Sequence, residues 1–534
     1  MAKSRAAEAV VLRYNSLNSD RSVFLSTWQE IADFVMPRKN MILGRRSPGS
    51  KNTPVLYDST AIHANDMLAS SLQGAFSTAW FGLDFEEEEL NDDEEGREWL
   101  DDAVVRMYKA LTKSNFQTES HEGFLDLTSL GTACILIEEK ILKQKKFNGL
   151  RFKTFAIDEY VLDEDGEGLV NTIIRKITYT ARQAYKRFGE LAGKEALTNY
   201  MKNPSQKIDY IHAIIPRDEF DGKIPDKFGF ASITATLNEC EMIRKAGYHE
   251  FPCVVPRWQK YSKEMYGRSP SWNALADIKT LNRVKMHGLK ALAKDIDPPS
   301  ATPEGVGKLK LTPGAQNIIR ADLIDKIKPL LSQARYDASQ IKIEELRTAI
   351  KEIYYTDQLQ IQKKAQMTAT ESNITFELMQ RLLGPVFGRL GNELYEPATE
   401  RIFGIMLRAG AFKPIPESIR GANVNVKYVG PLAKAQRQAE LQAVNAWLEV
   451  VATIAGVNPE VIDAVDTDAV TVGAAKMLGV PEKYINSIRK IEDIRQKRAD
   501  AKAQEQNKVD LVEGAKAFPN VAKAMTSLRG GGMQ

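Results

Sequence analysis

The sequence predicts a mainly helical α+β protein, on three observations. Helical spacing of apolar residues dominates both ends of the chain. Short β-branched segments fill the stretch from Cys134 to Trp258, and two long helical runs flank a Pro- and Gly-rich excursion between Gly267 and Glu371. The 534 residues are enough for about two to four domains with sizeable cores. A hydrophobic share of 43% against 27% charged residues is the balance of a folded chain rather than a disordered one. The net charge of +3 is too small for composition alone to announce a nucleic-acid binder, although local basic bands still matter in an assembly. Three cysteines, Cys134, Cys240 and Cys253, argue for a reducing compartment and against a disulfide framework. No apolar run reaches the ~20 residues of a membrane span, and the first residues lack a signal-peptide core, so synthesis in the cytoplasm is expected.

In chain order, Ser19-Asp20 reads as the cap of a first helix whose Phe24, Trp28, Ile31 and Val35 share a face until Pro37 stops it. A loop from Gly44 to Pro54 follows, then a helix from near Ser59 with Ile62, Met67, Leu68 and Leu72 inward. The acidic run Glu86–Glu89 and Asp92–Glu95 reads as a solvated loop and the N-terminus of a helix through Trp99, Val104 and Tyr108. Strands are predicted at 134–137, 150–157, 170–180, 208–215 and 230–237, with a turn at Asp163–Gly166. Thr180 and Gln183 form a capping box for a helix through Tyr185 and Phe188. Ser269 and Pro270 open a helix with Leu275, Ile278, Leu281, Leu289 and Leu292 periodic, which Asp297-Pro298-Pro299 ends. At 1.5 Å per residue it is roughly 40 Å long and its other faces carry Lys279, Lys285, Lys290 and Lys294, so it reads as a strut shared with neighbouring copies. The excursion 298–331 includes a short strand at Lys308–Leu311. A return helix at 335–354 carries Ile343, Leu346, Ile350 and Ile353. A polar segment, 356–366, precedes a second capping box, Thr368 with Glu371, and a helix through Phe376, Met379, Leu383 and Phe387 that Gly384-Pro385 should kink. The final hundred residues read as short-looped helices, with Trp447, Val450, Val451 and Ile454 as one stripe, further helix at 477–494 and a mobile tail after about 500.

A search for catalytic chemistry finds little. Gly189–Lys194 has three intervening residues where a phosphate loop has four, and Gly305–Lys308 lacks the first glycine. The five histidines include no i, i+4 pair, the cysteines form no CxxC, and no GxSxG occurs. Asp158-Glu159 and Asp163–Asp165 can bind a cation, but turn chemistry and solvation explain them more simply. The tryptophans read as core or interface anchors. No catalytic residue, metal site or cofactor is predicted.

Several phrases then act together: Arg21–Pro37, Tyr57–Ala61, Leu68–Leu72 with Trp80-Phe81, Asp158–Tyr160, Thr180–Gln183, Val255–Trp258, Tyr266–Pro270, Asp277–Asn282 and Met367–Glu371. In this order the chain resembles the portal (head-to-tail connector) proteins of short-tailed, T7-like bacteriophages, over most of its length and more weakly after about residue 430. The resemblance implies a portal fold assembled as a ring of twelve subunits. Its parts would be a wing (1–268), stem helices (269–297 and 335–355), a clip (298–334), a channel loop (356–367), a spine helix and return (368–430), a helical crown (431–500) and a tail (501–534). It implies a virion component at the head–tail junction whose channel passes double-stranded DNA in packaging and ejection without reading sequence. Implied partners are the terminase large subunit, a tail adaptor, and the major capsid and scaffolding proteins. Terminase would supply ATP hydrolysis.

DNA-facing candidates are Lys363 and Lys364, then Lys279, Lys285 and Lys290. Channel-loop candidates are Gln358, Gln360, Gln362 and Gln366, and clip docking candidates are Pro303, Lys308, Lys310 and Pro313. A Gln-rich loop with two lysines makes contacts that exchange easily, whereas a densely basic wall would brake DNA. A solvated face or a subunit-interface ion pair accounts equally well for each stem lysine. Two other classes stay open: a structural or scaffolding virion protein without a duplex-wide channel, and a nucleic-acid enzyme with a Mg²⁺ site using Asp163 or Asp165.

Overall fold

The computed structural model describes residues 4–39, 41–44, 56–76, 80–87, 90, 93–140, 147–296, 300–301, 318–320, 324, 328–329, 336–356, 383–428, 431–456, 458–478, 491 and 494–502. The first elements are α1 (Arg5–Val35), α2 (Thr60–Phe76), β1 (Phe81–Phe85), α3 (Glu94–Thr112) and α4 (Phe116–Leu130). Strands β2 (Ile135–Glu139), β3 (Leu150–Thr154), β4 (Tyr160–Glu164) and β5 (Val170–Thr180) precede the short helices α5 (Ala181–Phe188) and α6 (Lys194–Lys202). Next come β6 (Lys207–Pro216), β7 (Phe230–Thr236), β8 (Met242–Tyr248), β9 (Cys253–Val254) and the long α7 (Pro270–Ile296). After it lie β10 (Ser300–Ala301), β11 (Lys328–Pro329), α8 (Tyr336–Ile353), α9 (Glu396–Arg408), β12 (Val424–Tyr428), α10 (Pro431–Ala455) and α11 (Thr467–Met477).

The chain forms two compact units, Met1–Phe81 with Val105–Phe412 and Gly82–Val104 with Lys413–Gln534. In the first, β4-β5-β6-β7-β8 is an antiparallel meander, and β3-β2-β9 is a second antiparallel sheet. Alternation sends Ile174, Ile211, Ala213 and Ile233 to one face, where Val10, Val11 and Tyr14 of α1 cover them. Near one end of the opposite face, α5 and α6 pack Ala184 and Ala196 on Ile208 and Tyr210. Thr180 caps α5 in a full capping box, with Gln183 N–H donating to Thr180 Oγ1 and Thr180 N–H to Gln183 Oε1.

A buried centre joins these layers. Arg257 is 1% exposed. Its backbone N–H and guanidinium donate to Glu393 (2.8 Å and 2.7 Å), and further N–H groups reach Glu164 and the Gly168 carbonyl. Lys260 Nζ adds a 2.6 Å contact to Glu164. Glu393 sits on a π-helical turn, Gly391–Tyr395, which leads into α9. Nearby, Arg21 donates to the carbonyls of Ile157, Asp158 and Tyr160, and Trp28 Nε1 donates to Leu130 O at 3.0 Å. Phe24, Trp28, Tyr266 and Trp272 form an aromatic cluster. Gly131 has φ +90°, and a Cβ there would lie 2.2 Å from the Gly267 carbonyl oxygen, so the α4 exit and the α7 entry meet backbone to backbone.

Several expectations change. Ser19-Asp20 caps nothing: α1 runs through it from Arg5, because Ala7, Val10, Val11 and Tyr14 give that stretch a buried face of its own. Asp163 and Glu164 belong to β4, and the turn is 165–169, where Asp165 Oδ1 accepts from the N–H groups of Glu167 and Leu169. The strand from Leu150 stops at Thr154. Strands β1, β4, β8, β9 and β12 were not expected: β4, β8 and the two-residue β9 lack alternation, whereas the alternation of Phe81, Leu83 and Phe85 in β1 and of Val424, Val426 and Tyr428 in β12 was missed. Ile278 and Leu281 of the periodic row are buried, whereas Leu289 and Leu292 of the same row are exposed. Residues 383–390 are helical through Pro385, with Leu383, Val386, Phe387 and Leu390 buried. The expected strand 308–311, the Thr368–Glu371 box, the helix residues Phe376 and Met379, most of 477–494 and the tail beyond 502 lie outside the described residues.

In the second unit β1 pairs with β12, and Trp99 Nε1 donates to Lys413 O at 3.1 Å. Part of the acidic run is engaged there: Glu86 accepts from Asn423, and Asp93 from Ser418. On α10, Trp447, Val450 and Ile454 are 43%, 56% and 45% exposed, so the predicted stripe exists and is left partly uncovered among the described residues.

Replacing Arg257 by Met strands Glu393 in the interior and is expected to cost about 3–5 kcal/mol. Denaturant titration checks this, and the added change Glu393→Gln should recover part of the loss.

Candidate functional site

The candidate site is the long helix α7 with the elements that hold it. Its N-terminus is fixed by hydroxyls. Ser269 Oγ accepts from Trp272 N–H at 3.2 Å and donates to Ser129 O at 2.5 Å. Ser271 Oγ donates to Thr128 O at 3.0 Å and accepts from the hydroxyl of the buried Tyr354, just past the end of α8, at 2.6 Å. Two turns before Tyr354, Arg347 reaches Asp58, just ahead of α2, from Nη2 at 2.9 Å. Lys285 of α7 donates to the same Asp58 Oδ2 at 2.8 Å, and Asp58 Oδ1 accepts from Thr60 N–H at 2.8 Å. Asn282 Oδ1 accepts from the N–H groups of Tyr57 and Asp58, closing the junction. Asp58 is 5% exposed. Burial alone would push its carboxyl upward; hydrogen bonds from Lys285, Thr60 and Arg347 outweigh that and hold it well below the usual carboxylate range.

This junction divides the predicted lysines. Lys285 neutralises a buried carboxylate. Lys279 makes a surface pair with Glu30 at 2.9 Å, in which both side chains stay close to half exposed. Lys290 is exposed, with no partner among the described residues. Lys279, Arg283, His287, Lys290 and Lys294 are all exposed, and their spacing of 4, 4, 3 and 4 places them within about 80° of arc over about 22 Å. Arg283 and His287 were missed from sequence, although a helical wheel of 279–294 contains the signal. Leu289, Leu292 and Ile296 continue the line of the buried Ala274, Ile278 and Leu281, away from the cationic stripe, and are 50%, 45% and 75% exposed.

Lys363, Lys364, Gln358, Gln360, Gln362, Gln366, Pro303, Lys308, Lys310 and Pro313 lie outside the described residues. Gly189–Lys194, the near phosphate loop, is the turn between α5 and α6, with Gly193 at φ +92° against Glu241. No helix among the described residues is long and apolar enough to cross a membrane.

A family model described as bacteriophage head to tail connecting protein matches residues 7–485. The chain belongs to that family. The chain is 27% identical to the probable portal protein of Bordetella phage BPP-1, over 99% of this chain and 97% of that one. It is 24% identical to the portal protein of Salmonella phage epsilon15, over 92% of this chain and 91% of that protein. Against a chain of the native gene transfer agent (GTA) particle virion the TM-score is 0.35 at 10% identity, covering 75% and 91% of the two chains.

Because the folded pKa of Asp58 lies below its unfolded value, its contribution is full above about pH 4 and fades as pH falls toward the folded value. Asp58→Asn should lose about 1.5–3 kcal/mol at pH 7 and much less near pH 2. Thermal melts across that range check the convergence.

Proposed function

We propose that this protein is a portal: a ring at one capsid vertex through which double-stranded DNA enters and leaves the head. The observation that carries the reading is the two-sided exposure of α7. One side is a cationic stripe, and away from it runs an apolar row that the described residues leave uncovered. A helix so exposed in one chain suits a ring wall, with the apolar row against neighbouring copies and the stripe toward the axis. The stripe is sparse, about one cation per turn, and carries no base-reading pattern. Such a wall lets phosphates exchange contacts as DNA moves. Lys279, Arg283, Lys290 and Lys294 are the channel-facing residues in this reading, and Lys285 is left out because Asp58 holds it.

The finer assignments extend the same reading. The ring has twelve subunits, as in short-tailed T7-like phages, and sits in the virion at the head–tail junction beside major capsid and scaffolding proteins. Segment 298–334, with Pro303, Lys308, Lys310 and Pro313, forms the clip that meets the terminase large subunit and then the tail adaptor. Segment 356–367, with Gln358, Gln360, Gln362, Lys363, Lys364 and Gln366, forms the channel loop. The protein contributes no chemistry of its own and needs no cofactor.

Single-particle images viewed down the symmetry axis test the reading: rings of about twelve copies around a duplex-wide hole (roughly 20 Å or more) are expected, and a compact dimer without a channel overturns it. In those rings Lys290→Gln should leave stability within about 0.5 kcal/mol of the parent while flattening the salt dependence of DNA binding. Lys285→Gln should do the reverse, lowering the melting temperature with the salt slope unchanged. Deleting 363–366 should alter DNA packaging or retention, and unchanged values of both would remove the loop from the channel.

A further inference from the structure

The first unit contains an open cleft of about 1220 Å³, distinct from the α7 stripe. Its floor is the face of the meander turned away from α1, crossed by the register row Arg175–His212–Thr234–Arg244. The cleft is lined by eight cationic side chains and four carboxylates, and the charges are not evenly spread. Its carboxylates lie on β2 and at 158–159. The half floored by β6, β7 and β8 and flanked by α5 has none among its lining residues.

That half holds Arg187 and Arg244, both exposed and without a carboxylate partner among the described residues. Behind them, Arg175 is 7% exposed and bonded to Glu159 at 2.7 Å, and its Nε has no hydrogen-bond partner among the described residues. The local field registers on His212: burial first, and then repulsion from Arg175, Arg187 and Arg244, push its pKa down to about 4. Its ring is therefore neutral at pH 7, within reach of Ser232 Oγ at 3.0 Å.

The rings of the cleft narrow the ligand. Arg187 already lies over Tyr179 and Phe188, at 5.5 Å and 5.7 Å, and Arg401 lies over Tyr248 at 5.4 Å. Those guanidinium groups each cover one face of an aromatic ring, which favours recognition of anionic groups over stacking of nucleic-acid bases in this half. Exposed guanidinium groups beside a carboxylate-free floor fit planar, bidentate recognition of carboxylates. The chain itself carries such a partner. Between Glu86 and Glu95, eight of ten residues are Asp or Glu, and Glu87 and Glu95 are exposed.

We infer that the Arg187–Arg244 half of the cleft receives the acidic run Glu86–Glu95 of a neighbouring copy. Each copy then offers one cleft and one run, a head-to-tail contact that a closed ring satisfies at every interface. The inference rests on the ring reading and adds a second contact to it. Because both groups are exposed, the contact weakens as salt rises.

A charge swap tests it. Sedimentation of the full-length chain should show rings for the parent. Arg187→Glu with Arg244→Glu should lower the ring fraction at least tenfold at low salt, and so should Glu87→Lys, Glu88→Lys and Glu89→Lys together. A chain carrying all five changes should assemble again, because the reversed charges still match between copies. Failure of that chain to assemble while its melting curve stays that of the parent overturns the inference, as does ring formation by the cleft variant at the parent level. Both results leave the ring reading intact. If the parent forms no ring, the ring reading fails on its own. A labelled peptide of residues 84–95 then decides the cleft: binding to the parent that the two arginine changes abolish supports it. No binding, or tighter binding of a short oligothymidylate, overturns it.

Discussion

The ion network around Arg257 is the constraint on which the first unit depends. One guanidinium, removed from water, is bonded to Glu393 ahead of α9, to Glu164 at the end of β4 and to the turn that follows it. A buried charge of this kind is tolerable only when every partner is in place, because desolvation costs several kcal/mol per ion. The network adds little by replacing apolar packing; it fixes which segments meet. The π-helical turn at Gly391–Tyr395 is the local adjustment that accompanies Glu393 in this arrangement. Arg21 does similar work nearby, holding the carbonyls ahead of β4 against α1.

From that centre the chain leaves along α7, whose entry is too close to Gly131 for any side chain. The hydroxyls of Ser269 and Ser271 and the Asp58 junction pin its first four turns against α4, α8 and the start of α2. Beyond Lys285 the described contacts thin out, and the helix exposes both its cations and its leucines. A rigid base with an uncovered outer length is what a wall element shared between copies requires. The same covalent helix thus holds charges of two kinds: Lys285, compensated and structural, and Lys290, exposed and without a partner among the described residues.

The cleft on the meander follows the same distinction. Arg175 is stacked on Phe155 and paired with Glu159, whereas Arg187 and Arg244 stay exposed around an acid-free floor. Compensated cations hold the fold together, and uncompensated ones are what a single chain has available for partners. In a protein of net charge +3, the placement of those few free charges matters more than their total.

The sequence by itself determined the elements whose signals are local. The capping box at Thr180, the Ser269-Pro270 entry of α7, the span of the two long helices and the longer strands β5, β6 and β7 all follow from spacing and cap chemistry within a few residues. Scattered phrases also carried the family resemblance, and several of them meet at the buried centre: Arg21 at Asp158–Tyr160, and Val255–Trp258 beside Tyr266–Pro270. Only the tertiary structure decided that Ser19-Asp20 lies within a helix, because the covering sheet is more than a hundred residues away. It alone made β4, β8 and β9 strands, whose pairing partners supply what their own residues do not; β1 and β12 do alternate, but over five residues each, too short a run to stand out. It also separated Lys285 from Lys290. Both are lysines on one helix, and only the distant Asp58 makes one of them structural, since an ion pair depends on distance in space rather than on position in the chain.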